Sequence, residues 1–483
     1  MEPADIWLQG EEKLLLIDGR LVPSRDGGRR EIVEPATGRP LAVVTGCGAV
    51  DALQALGAAR RAADDGPWPR MGAAGRAQRM LDLAQRIESD AELLARVEAR
   101  DSGRALRETA KDVRYAAALL QRETQGAAAD QGRWRTVDGG LETVTQPAPL
   151  GVIVAAAGAH APLRSAVSAL APALAAGNAV IIVPDVRTSL SVMRLGEMAL
   201  RAGFPPGALQ VLSGGREAAS ALVAEDAVDL LLEDSGVGGE EWLRAARGAR
   251  PIRTAPRAKG TLLVLSGADP VIAAEHSLVG ATYGQGALPG GVQRIVAERK
   301  AHDHLVLQLI SRASALTLGS PIDPDCEVGP LVSEGQREAV ETAIADARAE
   351  GATLVSGGQR GQGARLDGGF FLQPSVLVGL RPSMQVWNKD VPGPVLLVHE
   401  AEDLEEAMRA LGAAGPVGVF GAHGRGLGRL GADLPKRDIL LDTWNLPQIL
   451  TDPGLCTWRR EDLSLARNVW RAEPEGPGWY FSS

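Results

Sequence analysis

Few side chains in this sequence are suited to covalent or metal chemistry. Its 483 residues include three cysteines (Cys47, Cys326 and Cys456) and six histidines. A thiol becomes a nucleophile or a metal ligand when nearby cations lower its pKa. Cys456 lies in GLCTWRR, close to Arg459 and Arg460, and Cys326 lies in the turn-like PIDPDCEVGP. Both read as structural thiols. The three cysteines are far apart, odd in number and without CxxC spacing. That argues against a disulfide framework or a cysteine-based zinc site, and it fits a reducing compartment. His302 and His304 flank Asp303 and would point to different sides of a helix, so no metal site is expected from them.

Composition sets the outer bounds. The length calls for more than one domain. A hydrophobic fraction of 45% and a charged fraction of 23% are ordinary for a soluble fold, and 4% aromatics leave the core to aliphatic residues. A formal charge of −9 argues against nucleic acid as a partner. The N-terminus carries early acids and no long apolar run, so it does not read as a signal peptide. The apolar stretch from Val152 to Ile182 is interrupted by Gly158, His160, Pro162, Arg164 and Pro172, which excludes a membrane span. A cytoplasmic protein is expected.

The elements follow from periodicity. Leu15-Leu16-Ile17 before Asp18-Gly19 reads as a strand entering a hairpin. Residues 49–65 read as a helix, and a long helical region from Ala74 to Arg100 resumes after Asp101-Ser102-Gly103. Residues 125–146 turn extended and read as a hairpin-like excursion. From 150 the rhythm is strand, helix, strand, with strands at Leu150 to Ala156, Ala179 to Val183 and Val228 to Leu232. A second series starts near Thr261. Such alternation implies parallel sheets covered by helices, in two α/β domains.

Several landmarks, in order, resemble the aldehyde dehydrogenase superfamily. They are Glu34-Pro35-Ala36-Thr37-Gly38, Asp101-Ser102-Gly103-Arg104, Pro149-Leu150-Gly151, the run from Ala171 to Asn178, Gly203-Phe204-Pro205-Pro206-Gly207, Gly284-Gln285, Gly329-Pro330-Leu331 and Gly393-Pro394-Val395. The resemblance spans roughly residues 15–445. It implies two open parallel-sheet α/β domains plus a small β oligomerisation element. Residues 1–124 and 147–252 would form a degenerate Rossmann-like dinucleotide-binding domain. Residues 253–446 would form the catalytic-type domain, and 125–146 with 447–483 the oligomerisation element.

The same resemblance locates the chemistry. The family's nucleophilic thiol is expected three residues after Gly284, where this chain has Ala287, and a methyl group cannot attack a carbonyl. Ala255 takes the place of the general-base glutamate. His160 takes that of the oxyanion asparagine, where an imidazole could still donate a hydrogen bond. At the cofactor positions, Val183 replaces a ribose-binding lysine. Ser235 and Gly236 follow two acids in a degenerate phosphate turn, and Asp390 keeps a carboxylate on a shorter arm. These changes lead to the expectation of a catalytically inactive, dehydrogenase-like protein with no bound cofactor. It would serve in a homo-dimer or in a hetero-oligomer with an active dehydrogenase or pathway enzyme. The alternative is an NAD- or NADP-dependent aldehyde oxidoreductase with a rearranged site, if the cleft is retained, or a small-molecule or nucleotide sensor.

Overall fold

Uninterrupted apolar runs become buried strands because both of their faces must be covered. The structure, a computed structural model, describes residues 2–129, 132–137, 141–234, 251–254, 258–411, 415–421, 439–444 and 460–472. Its strands in chain order begin with β1 (Leu15–Ile17), β2 (Arg20–Val22), β3 (Arg29–Glu34), β4 (Arg39–Thr45), β5 (Arg133–Val137) and β6 (Leu141–Pro149). They continue with β7 (Val152–Ala157), β8 (Ala179–Pro184), β9 (Leu209–Val211), β10 (Leu230–Asp234), β11 (Ile252–Thr254) and β12 (Gly260–Val264). The last are β13 (Val292–Glu298), β14 (Thr353–Ser356), β15 (Ser375–Val378), β16 (Val395–Ala401), β17 (Val417–Phe420), β18 (Ile439–Leu441) and β19 (Ser464–Ala472).

Two open sheets result. The first has the order β11-β10-β7-β8-β9-β1-β2, parallel from β11 to β9 and closed at one edge by the antiparallel β1–β2 hairpin. Asp18 and Gly19, with φ of 51° and 71°, supply the left-handed pair that a tight hairpin needs. β7 and β8 are buried along their whole length. The second sheet has the order β14-β15-β16-β13-β12-β17-β18, with β14 antiparallel at its edge. A third sheet, β19-β6-β5, is antiparallel and pairs the last of the described strands with the extended excursion. The two α/β layers and the parallel order agree with the expectation from sequence.

Local differences have simple causes. The long helical region breaks at Asp90, giving Ala73–Ser89 and Ala91–Ser102, because Ser89 and Asp90 compete with helical bonding. The helix that follows, Leu106–Ala129, runs past residue 124 on the alanines of its last turn. The helices Pro3–Gln9 and Arg216–Ala224 are too short to show clear periodicity in the sequence.

A buried ion cluster ties these helices to the second sheet. The Arg104 guanidinium is enclosed and meets Asp112, Glu108 (3.3 Å) and Glu98 (3.7 Å). Burial opposes its charge, but Asp112 and Glu108 more than offset that and hold it protonated. Glu98 also accepts the Leu163 N–H (3.1 Å), and Glu108 accepts the Gly284 N–H (2.9 Å). One cation thus links the helices Ala91–Ser102, Leu106–Ala129 and Pro162–Ala175 to the loop after Tyr283. Removing it strands three carboxylates in the interior. Arg104→Ala is expected to lower the unfolding free energy by about 3–5 kcal/mol. A loss below about 1 kcal/mol in urea unfolding would contradict this role for the cluster.

Candidate functional site

Ligands in open parallel sheets bind beyond the carboxyl ends of the strands, where the strand order reverses. In the first sheet that point lies between β7 and β10: the chain moves from β7 to β8 and β9 on one side, then returns to β10 on the other. β7 ends at Ala157. The Gly158 N–H donates to Ser165 Oγ (3.0 Å), which fixes the turn into the helix Pro162–Ala175. His160 lies in this turn. Its Nδ1 is buried with no hydrogen-bond partner among the described residues. Burial, helped by the charges of Arg187 and Lys259, pushes its pKa down to about 3, so the ring is neutral at physiological pH.

β8 ends beside this turn. Val183 is buried within the strand, and the Asp185 N–H donates to Ala157 O (3.0 Å). Arg187 grips the Asp185 carboxylate in two places, at 2.8 and 2.7 Å. Burial would raise this carboxyl's pKa, but the Arg187 contacts outweigh that and hold it below the ordinary range.

The second sheet contributes the loop Tyr283–Leu288. Gly284, Gln285 and Gly286 carry φ of 61°, 52° and 68°. Such a left-handed run is open to glycine but costs a residue like glutamine about 1–2 kcal/mol. At Gly286 a side chain would also lie 2.4 Å from both Ala281 O and Gly393 O. The turn is pinned from two sides. Glu108 holds the Gly284 N–H, and Lys259 Nζ donates to Gly286 O (2.6 Å) and Leu288 O (2.9 Å). Ala287 sits between those two carbonyls, buried, with its N–H on Gly284 O (3.0 Å). Burial, eased by Asp390, brings the Lys259 pKa down to about 8. Asp390 pairs with Arg294 (3.3 Å), and its segment is docked on β13 by Gln293 through Lys389 O and the Val391 N–H.

Lys259 thus bonds the Ala287 loop, its charge is felt by His160 and it feels that of Asp390, while Val183 lies on β8 in the first sheet, beside β7. Ala255, Ser235, Gly236 and Cys456 lie outside the described residues. Cys47 and Cys326 are buried, and burial raises both thiols, Cys326 to about 11. Among the described residues His302 Nδ1 bonds its neighbour Asp303 and no group of metal-binding side chains forms. Sequence reasoning passed over Lys259 and Glu108 as site-shaping groups. The available signal was a lysine standing directly before an apolar strand.

Comparison with known proteins gives this geometry a context. The aldehyde dehydrogenase family model matches residues 21–414. A betaine aldehyde dehydrogenase of Cereibacter sphaeroides is 31% identical over 442 residues, covering 90% of this chain and 89% of that protein. The betaine aldehyde dehydrogenase of Bacillus subtilis is 30% identical over 407 residues, covering 82% and 81%. Among solved structures, betaine aldehyde dehydrogenase from Staphylococcus aureus in complex with NAD+ superposes with a TM-score of 0.90 at 24% identity, over 99% of each chain, which shows the shared fold. A Bacillus cereus aldehyde dehydrogenase mutant gives 0.90 at 25% identity, over 98% of this chain and 99% of that one.

These matches correct two expectations. The inactive-scaffold reading is overturned by relatives that are named as dehydrogenases and cover most of both chains. The physical reason is that an alanine at 287 removes one covalent route, while the loop pinned by Glu108 and Lys259 remains. The expectation of no cofactor was part of the inactive-scaffold reading and loses its support with it. No helix among the described residues is long and apolar enough to cross a membrane. The chain belongs to the aldehyde dehydrogenase family.

Proposed function

We propose that this chain is an aldehyde oxidoreductase dependent on a nicotinamide dinucleotide, with a site rearranged to work without a thiol at position 287. The observation that carries the reading is the family match across residues 21–414, joined to His160, whose buried Nδ1 at the carboxyl end of β7 has no hydrogen-bond partner among the described residues. The residues at the end of β8 and the Gly214-Gly215 turn suit a dinucleotide. The turn precedes the helix Arg216–Ala224, which no side chain caps, and a side chain at Gly214 would lie 2.6 Å from Ala218 Cβ, so the turn packs closely on the helix. When bound, the dinucleotide supplies a two-electron acceptor for hydride.

The protein's own part is positioning. With a methyl group at 287, the substrate form that suits the site is the aldehyde hydrate. Loss of its C–H as hydride and of one O–H proton to water gives the carboxylic acid, with no bond to the protein. Neutral His160 hydrogen-bonds the oxygen on which charge develops. Lys259 and Glu108 hold the 284–288 backbone against the reacting carbon. Asp390, steadied by Arg294, lines the side toward the second sheet. We further propose self-association through the three-stranded sheet, on which Trp134 is 63% exposed.

Purified protein given a panel of aldehydes with NAD+ or NADP+ is expected to form reduced nucleotide at 340 nm and to keep its rate after iodoacetamide treatment. No aldehyde-dependent signal from any panel member would sink the proposal, and loss of rate with the alkylating agent would sink its thiol-free form. His160→Ala is expected to lower kcat/KM by about 10²-fold, with His160→Asn retaining more activity. Equal activity of all three proteins would remove His160 from the mechanism.

Lys259 adds a pH signature. Its folded pKa, about 8, is below the ordinary 10.5. Between those values the unfolded chain holds a proton that the folded chain has lost, so this group's contribution to stability rises with pH through that window. The stability of wild type relative to Lys259→Met should therefore increase from pH 8 to 10.5 in urea unfolding. A flat or falling difference would contradict the burial of this amine.

A further inference from the structure

The helix Pro270–Thr282 opens on Asp269, whose carboxylate accepts the Val271 and Ile272 N–H groups at 2.8 and 3.4 Å. Ala273, Ala274, Ser277, Leu278 and Ala281 recur at helical spacing and bury one face. The outward face of such a helix is ordinarily polar. Here it leaves Ile272 42% and Val279 44% exposed. Beside Val279 a cavity of about 480 Å³ opens between this helix, the helix Arg299–Ala315 and the first turn of the helix Leu106–Ala129. That volume falls within the range of small-molecule sites, about 300–1,000 Å³. Leu278, Val279 and Leu316 give it an apolar wall.

Most of the polar groups lining the cavity already have partners. Arg312 donates to Glu275 across the two helices (2.6 Å), which makes a neutral pair. Glu327 Oε2 accepts the Thr317 N–H (2.8 Å), and His276 Nδ1 accepts the Trp444 N–H (3.2 Å). Arg107 differs. Its side chain is exposed, it donates to the main-chain oxygen of Glu327 (3.1 Å), and it has no carboxylate partner among the described residues. Lys111 and Arg114 follow it on the same helix face. Lys111 Nζ stands 5.8 Å from the Tyr283 ring centre, and neither residue has an ion pair among the described residues. The acids of this helix's start, Glu108 and Asp112, are both taken by Arg104. The rim of the cavity formed by this helix therefore carries positive charge, which favours an anion.

We propose that this cavity is a second ligand site, taking a small carboxylate whose charge pairs with Arg107 and whose apolar tail lies along Leu278, Val279 and Leu316. None of His160, Glu108, Lys259 and Asp390 lines it, so the site is distinct from the one around Ala287 and does not depend on the oxidoreductase reading.

The test is calorimetric titration of the full-length chain with hexanoate, its neutral counterpart hexanamide, and inorganic phosphate, with thermal unfolding to confirm that each variant is folded. Wild type should bind hexanoate at least about tenfold more tightly than hexanamide, the worth of one hydrogen bond to a charged group. Phosphate, which has no tail, should bind more weakly than hexanoate. Arg107→Gln should lose about tenfold for hexanoate and leave hexanamide unchanged. Val279→Asp, which sets a like charge on the apolar wall, should also weaken hexanoate. His160→Ala should bind hexanoate as wild type does, and hexanoate should slow amide exchange in peptides from the helix Pro270–Thr282. No saturable binding of hexanoate, equal binding of hexanoate and hexanamide, or an Arg107→Gln variant that matches wild type would overturn the inference. Binding lost in His160→Ala, or protection absent from that helix, would place the ligand elsewhere and overturn it as well.

Discussion

The architecture of the site depends on one unfavourable piece of backbone. Three consecutive residues, Gly284 to Gly286, take left-handed conformations, and the middle one is a glutamine. Such a turn does not hold its shape unaided. It is kept by a carboxylate from one domain and an ammonium from the other, each acting on main-chain atoms on either side of Ala287. Burial raises the Glu108 pKa while Arg104 opposes that rise and holds the carboxylate in place, so the ion network among the helices and the shape of the loop are parts of a single device. Burial raises the Glu98 pKa above the ordinary carboxylate range, with Asp112 adding to the effect.

This constraint separates two properties that the family's chemistry normally joins. The backbone cradle is set by Glu108, Lys259 and the glycines; the reacting group is set by the side chain at 287. A chain can lose the second and keep the first. His160 illustrates the same point from the other side of the cleft. Its imidazole, kept neutral by burial and by the cations around it, is a hydrogen-bond donor or acceptor and not a charge. A site made from a rigid cradle, a neutral imidazole and a lysine of low pKa suits chemistry that needs orientation more than covalent attack.

Much of the fold was legible in the sequence. The runs Val152–Ala157 and Ala179–Pro184 could only be buried strands, and the Gly-bearing turns between them gave the parallel rhythm. The helix break at Asp90 was not legible, because a single Ser-Asp pair within a strong helical pattern gives little warning. The site was legible residue by residue but not as a set. Ala287 and His160 were assigned by resemblance, yet nothing local to Lys259 or Glu108 shows that they converge on one loop from distant segments. That gap explains why the sequence reading went from missing side chains to missing function. It counted the groups that were lost and could not see the cradle that remained.

The most direct test of the account follows the hydrogen atom. Protein would be incubated with an aldehyde deuterated at C1 and an oxidised nicotinamide dinucleotide, and nucleotide, product and intact protein analysed by mass spectrometry. The account predicts deuterium in the reduced nucleotide, the matching carboxylic acid in equal amount, and no acyl adduct on the protein at any time. Deuterium retained in unreacted aldehyde with no acid formed would contradict an oxidoreductase. Transfer accompanied by an acylated residue would show that the chain carries a covalent route other than the one described.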